Sequence, residues 1–379
     1  MSIRTIVKKI IMKLRGGVIP LRPSCTPKGN VLLSYITDPF FEYKEREYTH
    51  TNIWECREMA NIFLASGYAV DVIDWKNDSF IPKKNYSYCI DIHSNLERLS
   101  PLLNKDCVKI FHATGSHWLF QNRAEYERLF NLQQRKKITL VPRRSLPPSF
   151  AIENADLVTL LGNEATENTY RYANKKIFPI PLSTTHSFPF PENKNINEAK
   201  KRFVWFGGGG MIHKGLDLVL EAFAEMPEYH LSVCGPVRSE KDFEKAYWKE
   251  LYETKNIKTF GRIDPGGSIF REILDSSVAL VYPSCSEGQS GAVITCLHGG
   301  LIPAVSYQSG VNVNDFGIIF KENTIAEIKE VVRHIASTPN EELRFMSKKA
   351  WEYAGKEHTR ERWSSSFKTF VKSLAKKNS

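Results

Sequence analysis

The chain has 379 residues, 42% hydrophobic and 12% aromatic, a size and composition that predict a globular protein of about two domains with one cleft. No stretch has the run of apolar residues needed to cross a bilayer, and the seven cysteines (25, 56, 89, 107, 234, 285 and 296) form no C-x-x-C and no metal-type pairing with histidine. Free thiols in a reducing compartment fit best. The formal net charge of +10 gathers at the ends of the chain and comes with no recognisable base-reading motif, which argues against a nucleic-acid-binding protein.

Residues 1–29 form a basic N-terminal segment. Arg4, Lys8, Lys9, Lys13, Arg15, Arg22 and Lys28 face no acid before residue 38, and Ile3, Ile6, Val7, Ile10, Ile11 and Leu14 recur at helical spacing opposite the cations. This reads as a basic amphipathic helix suited to an anionic membrane surface; the alternatives are a helix packed on the body or a frayed tail. Lys8, Lys9 and Lys13 interrupt the apolar core that a secretory signal requires, so the segment is expected to be retained.

From residue 30 a strand (31–36), a helix (52–65) and a strand (69–73) open an alternation that continues with strands at 88–92, 108–111, 139–141 and 157–161 and a helix at 118–132. Pro179, Pro181, Pro189 and Pro191, followed by a charged stretch, break that rhythm near residue 190. A second alternation runs through strands at 203–206, 229–233, 257–260 and 278–282, with a helix at 216–224. The expected fold class is α/β, with two Rossmann-like doubly wound parallel-sheet domains at residues 30–190 and 191–355 facing a cleft. Residues 356–379 carry aromatic residues at helical spacing and are expected to pack back on the first domain.

Ligands of such sheets sit beyond the carboxyl ends of the strands. Gly207, Gly208, Gly209 and Gly210, then Gly235-Pro236, Gly261-Arg262 and the loop Glu287-Gly288-Gln289-Ser290-Gly291-Ala292 all fall there. The glycine run matches neither G-x-G-x-x-G nor the P-loop pattern. What it offers is a turn of exposed backbone amides followed by Lys214-Gly215 before a helix, which suits a diphosphate. The small-residue loop at 287–292 likewise opens a helix whose N–H groups can hold phosphate.

The run Phe206-Gly-Gly-Gly-Gly-Met-Ile-His-Lys214-Gly-Leu-Asp217, with Val233-Cys-Gly235 and Tyr282-Pro-Ser-Cys-Ser-Glu287-Gly288, resembles the donor domain of family 4 (group 1) retaining glycosyltransferases, which have the GT-B fold. The resemblance spans about residues 30–370. It implies that Lys214 holds the diphosphate of a UDP- or GDP-linked sugar and that Glu287 contacts the donor sugar near the reacting carbon. Two positions depart from the family pattern. Gly209 stands where an arginine is usual, and Thr295 where a second glutamate holds the ribose, so the donor motif is divergent.

On the acceptor side, His112 ends the strand at 108–111, from which its side chain would enter the cleft and, with an imidazole near neutral pKa, bond a sugar hydroxyl or relay the acceptor's proton. His117 and His93 are weaker rivals, and His50-Thr51-Asn52 would face the same cleft, with Asn52 a candidate helix cap. No Asp-x-Asp occurs, so no metal site is expected, and Lys214 with the loop amides would act in place of a cation. The function implied is transfer of a sugar to an acceptor hydroxyl with retention of configuration. The acceptor would be a glycan or a lipid-linked intermediate of bacterial surface-polysaccharide, lipopolysaccharide or capsule synthesis, met in the cytoplasm at the inner face of the membrane. The competing readings are a non-catalytic nucleotide-sugar-binding subunit and a GT-B nucleotide-sugar epimerase.

Overall fold

The computed structural model describes residues 16–41 and 50–375; the amphipathic helix expected in residues 1–15 lies outside them. The first sheet holds β1 (Val18–Leu21), β2 (Asn30–Tyr35), β3 (Ala69–Asp74), β4 (Tyr88–Asp91), β5 (Val108–Ala113), β6 (Leu157–Leu160) and β7 (Ile177–Pro179) in the order β1-β3-β2-β4-β5-β6-β7. Only β1 is antiparallel to its neighbour. The second holds β8 (Arg202–Phe206), β9 (His230–Cys234), β10 (Ile257–Gly261), β11 (Ala279–Tyr282), β12 (Ile302–Ser306) and β13 (Ile318–Phe320), parallel throughout, in the order β10-β9-β8-β11-β12-β13.

Strand burial explains the parallel pattern. All four residues of β11 and all five of β12 are buried, because helices cover both faces of the sheet. Chain order reverses between β8 and β11, and a crevice opens beyond their carboxyl ends where a doubly wound sheet binds its ligand. In the first sheet the reversal falls between β2 and β4. The strand expected at 139–141 is irregular instead. That stretch runs across to the second sheet's side, where the Val141 N–H donates to Asp242 Oδ2 at 2.9 Å.

Helix Trp118–Lys136 joins the two halves. Its Arg135 pairs with Asp217 and Glu221 at 2.8 Å each, Lys136 pairs with Glu250 at 3.0 Å, and Arg128 donates to the Pro283 carbonyl at 2.6 Å. The chain crosses from the first sheet to the second near residue 182 and returns near 358. The two crossings touch, as His358 Nδ1 donates to the Leu182 carbonyl at 3.0 Å. Beyond the return, helix Arg360–Ala375 packs on the first half, with Trp363 edge-on to Trp54 and Phe367 edge-on to Phe63.

Glu55, in helix Thr51–Ala65, is fully buried beside the first crossing. Its Oε1 accepts from the Ser183 N–H at 2.9 Å and Oγ at 2.7 Å, while Oε2 has no partner among the described residues. Loss of hydration outweighs the two Ser183 bonds and pushes the carboxyl up to about 7. Between its ordinary 4.5 and about 7 the folded chain keeps a proton that the unfolded chain releases, so stability falls as pH rises through that window, by on the order of 3 kcal/mol. Glu55→Gln is therefore expected to raise the melting temperature by several degrees at pH 8 and to leave it unchanged at pH 4, below the window. Coincident melting at pH 8 would show that Glu55 is already charged in the folded protein.

Candidate functional site

The crevice beyond β8 and β11 is built from two loops. After β8 the Gly207 N–H donates to the Cys234 carbonyl at 3.0 Å, which keeps the turn in step with β9. A side chain at Gly208 would meet nothing within 4 Å, so the turn's outer surface is open to close approach. The expectation that all these amides await a ligand needs correcting. Glu240 accepts from the N–H groups of Gly210 and Met211, so the amides without an internal partner among the described residues are those of Gly208 and Gly209. Gly235 is glycine for packing, because a Cβ there would lie 2.7 Å from Trp205 and 2.8 Å from the Gly207 carbonyl.

Gly215, at φ +71°, starts helix Leu216–Ala224 and turns Lys214 back under the crevice. The buried Lys214 ammonium contacts Glu287 Oε1 and donates to the Tyr282 hydroxyl at 2.9 Å. Tyr282 and Ser284 donate to the same carboxylate oxygen at 2.9 and 3.1 Å. Burial alone would raise the Glu287 carboxyl; the fields of Lys214, His213 and Arg144 overcome it and hold the group down at about 2. Glu287 is thus a charged, oriented carboxylate at neutral pH.

Sequence reasoning gave no role to Tyr282, Ser284 and His213, although all three fall inside the runs that carry the resemblance. His213 is fully buried, and its Nε2 donates to the Ser286 carbonyl at 2.5 Å while its own carbonyl accepts from the Cys285 N–H at 2.9 Å. It laces the glycine turn to the Glu287 loop.

The rest of that loop faces the first half. The Glu287 carbonyl accepts from Ser116 Oγ at 2.8 Å, and a Cβ on Gly288 would lie 2.3 Å from the Thr114 carbonyl, so close packing alone requires glycine there. Gln289 Oε1 accepts from the Leu182 N–H at 2.7 Å. Ser290 precedes helix Gly291–His298 without capping it through its side chain, which leaves the N–H groups of the first turn, Gly291 and Ala292 included, directed at the crevice. Thr295 Oγ1 donates to the Gly291 carbonyl at 2.7 Å, so its hydroxyl has only lone pairs left for a ligand. Pro236 is half-buried at the end of β9, and Arg262 is exposed past β10, two strands from the turn.

The first half differs most from expectation at His112. Its side chain is fully buried rather than projecting into open space, with Nδ1 on Thr159 Oγ1 at 2.8 Å and Nε2 unpartnered among the described residues. Burial pushes it down to about 3, so it is a neutral imidazole and not a proton relay near neutral pH. His50, and not Asn52, caps helix Thr51–Ala65: its Nδ1 accepts from the Asn52 N–H at 3.3 Å, and Thr51 is the first helical residue. Loss of hydration, then the charges of Arg144 and Lys214, lower its pKa against the Asn52 bond, which places His50 within the site's field. His117 caps helix Trp118–Lys136, and its Nε2 meets the Tyr172 hydroxyl at 3.1 Å. A cleft of about 160 Å³, lined by His93, Thr114, Ser116, His117, Gln121 and Arg144 among others, lies beside these residues.

No family model and no curated sequence matches the chain. Solved structures do. Sucrose-phosphate synthase from Thermosynechococcus elongatus aligns with a TM-score of 0.62 at 15% identity over 91% of this chain and 98% of its own. Anabaena HepE in complex with UDP and glucose aligns at 0.57 and 10% identity over 92% and 99%. S. aureus TarM, in complex with fondaparinux, α-GlcNAc-glycerol and UDP, aligns at 0.53 and 14% identity over 76% of this chain; the match spans only 56% of TarM. The fold is GT-B. As such it sets two parallel-sheet units face to face, with the crevice beyond β8 and β11 opening toward the first unit.

Lys214 and Glu287 are only 9% and 11% exposed, so removing either strands a desolvated charge. Lys214→Met is expected to destabilise the protein by roughly 3 kcal/mol at pH 7, and Lys214→Met with Glu287→Gln by much less. Denaturant unfolding of the single and double variants checks this; additive losses would mean that the two groups do not interact.

Proposed function

We propose that this protein is a glycosyltransferase that moves a sugar from a nucleotide-sugar, UDP- or GDP-linked, to an acceptor hydroxyl with retention of configuration. The observation that carries this reading is the meeting of the charged Glu287–Lys214 pair, the open glycine turn and the uncapped start of helix Gly291–His298 in one crevice. The Gly208 and Gly209 amides and the helix start suit the diphosphate, and Glu287 suits the sugar hydroxyls and the positive charge that develops at the reacting carbon. The bond between that carbon and the diphosphate oxygen breaks, the acceptor oxygen bonds the carbon on the same face, and the acceptor's proton passes to the departing diphosphate. No protein nucleophile is required, and the Gly208 and Gly209 amides and the helix start stabilise the leaving charge, whereas Lys214, which the resemblance gives to the diphosphate, is paired with Glu287. The solved neighbours with UDP, glucose or α-GlcNAc-glycerol support a nucleotide-sugar donor and a glycan acceptor.

Differential scanning of the protein against UDP-glucose, UDP-GlcNAc and GDP-mannose tests the donor, since a ligand bound only by the native state raises its melting temperature. Stabilisation by at least one donor is expected, and failure of all sugar nucleotides would overturn the reading. Glu287→Ala is expected to lower kcat by about a hundredfold or more. One alternative draws on particular contacts: Thr295 turned into its own helix and Glu240 on the glycine amides favour a non-catalytic sugar-nucleotide-binding subunit. Donor binding without turnover on any acceptor would select it.

The acceptor side we assign to the first unit's cleft and to bacterial surface-polysaccharide, lipopolysaccharide or capsule synthesis at the cytoplasmic face of the membrane. The cations of residues 1–15 support surface docking. Among the described residues no helix is long and apolar enough to cross a membrane. Deleting residues 1–15 is expected to abolish co-sedimentation with vesicles containing anionic lipid; unchanged binding would sink the docking role.

A further inference from the structure

Arg144 belongs to the first unit yet lies against the second unit's glycine turn. Its backbone is fixed from both sides by buried side chains of helix Trp118–Lys136. Both oxygens of Glu125 accept its N–H, at 2.8 and 3.0 Å, and Gln121 Nε2 donates to its carbonyl. Glu125 also accepts from the Arg143 N–H at 2.8 Å and Ser145 Oγ at 3.1 Å, so one carboxylate that is 2% exposed holds three consecutive residues. The side-chain stem then runs over Gly210, where a Cβ would come within 2.6 Å of Arg144 Cγ. The guanidinium itself makes no hydrogen bond or ion pair among the described residues, and the residue is exposed at the rim of that cleft. Its charge nevertheless reaches Glu287, His213 and His50.

The charge balance of the crevice shows what this unpaired cation is for. Lys214 is neutralised by Glu287, and Glu240 adds a negative charge at the turn, so among the described residues the glycine turn and the Glu287 loop offer a diphosphate amides but no unpaired cation. Gly209 contributes no side chain, and Arg262 lies two strands away. Among the described residues, Arg144 is the unpaired cation that touches the turn. We propose that Arg144 reaches across the cleft to bind the diphosphate of the donor, so that the phosphate site is shared between the two units. This rests on the nucleotide-sugar reading above and adds to it the residue that supplies the charge.

The test is calorimetric titration of UDP and GDP, and of the corresponding nucleosides, into the wild type, Arg144→Met and Arg144→Lys. Arg144→Met is expected to weaken diphosphate binding by about ten- to a hundredfold, to leave nucleoside binding unchanged and to flatten the salt dependence, with Arg144→Lys in between. The side chain is exposed, so the melting temperature of the free variants should match the wild type. Wild-type protein that binds neither diphosphate would overturn the nucleotide-sugar reading itself. Wild-type binding that survives Arg144→Met, or a loss shared equally by nucleoside and diphosphate, would overturn the role of Arg144 alone.

Discussion

A carboxylate taken out of water has to be answered by a positive charge, and the crevice of this protein is organised around that requirement at Glu287. Lys214 supplies the charge, Tyr282 and Ser284 supply hydrogen bonds, and His213 ties the lysine's loop to the glutamate's. The constraint reaches into the backbone. Gly215 must turn with positive φ against the Pro283 carbonyl so that Lys214 can fold back beneath the loop, and no side chain fits in that space. The result is a charged group held in one orientation before any ligand arrives, the preorganisation that electrostatic catalysis requires.

The second dependency runs between the units. Several glycines that look like ligand-binding positions are small because another part of the chain lies against them: Gly288 against the Thr114 carbonyl, Gly210 against Arg144 and Gly235 against Trp205. Helix Trp118–Lys136 carries cations to the second unit's acids and, through Glu125 and Gln121 on the same face, holds the Arg144 loop. Shape and charge at the crevice are therefore set by both units together.

Much of the architecture was legible because buried parallel strands need apolar runs: 278–282 is unbroken, and 31–36 and 108–111 are interrupted by one polar residue each, Ser34 and Lys109. The strands that escaped notice each lack that signature. β12 has Pro303 in its interior, β13 and β7 have three residues each, and β1 is an antiparallel edge. In the site, Lys214 and Glu287 could be found because their loops follow strands directly. Arg144 could not, since its nearness to Gly210 depends on a tertiary crossing. The environment of His112 was hidden for a related reason: sequence places it at the end of a strand, but enclosure and a pKa of about 3 come from what packs over that end.

The two chain crossings have a mechanical consequence. A pair of bodies joined by one flexible link can tilt, twist and slide, whereas a pair joined twice, with the links touching, keeps the freedom of a door on its pin. Leu182 and His358 mark that pin, and Glu55, bonded to Ser183, sits at its base. The Glu287 loop, which grips Leu182 through Gln289, lies near the hinge, while the ion pairs of helix Trp118–Lys136 act as the latch.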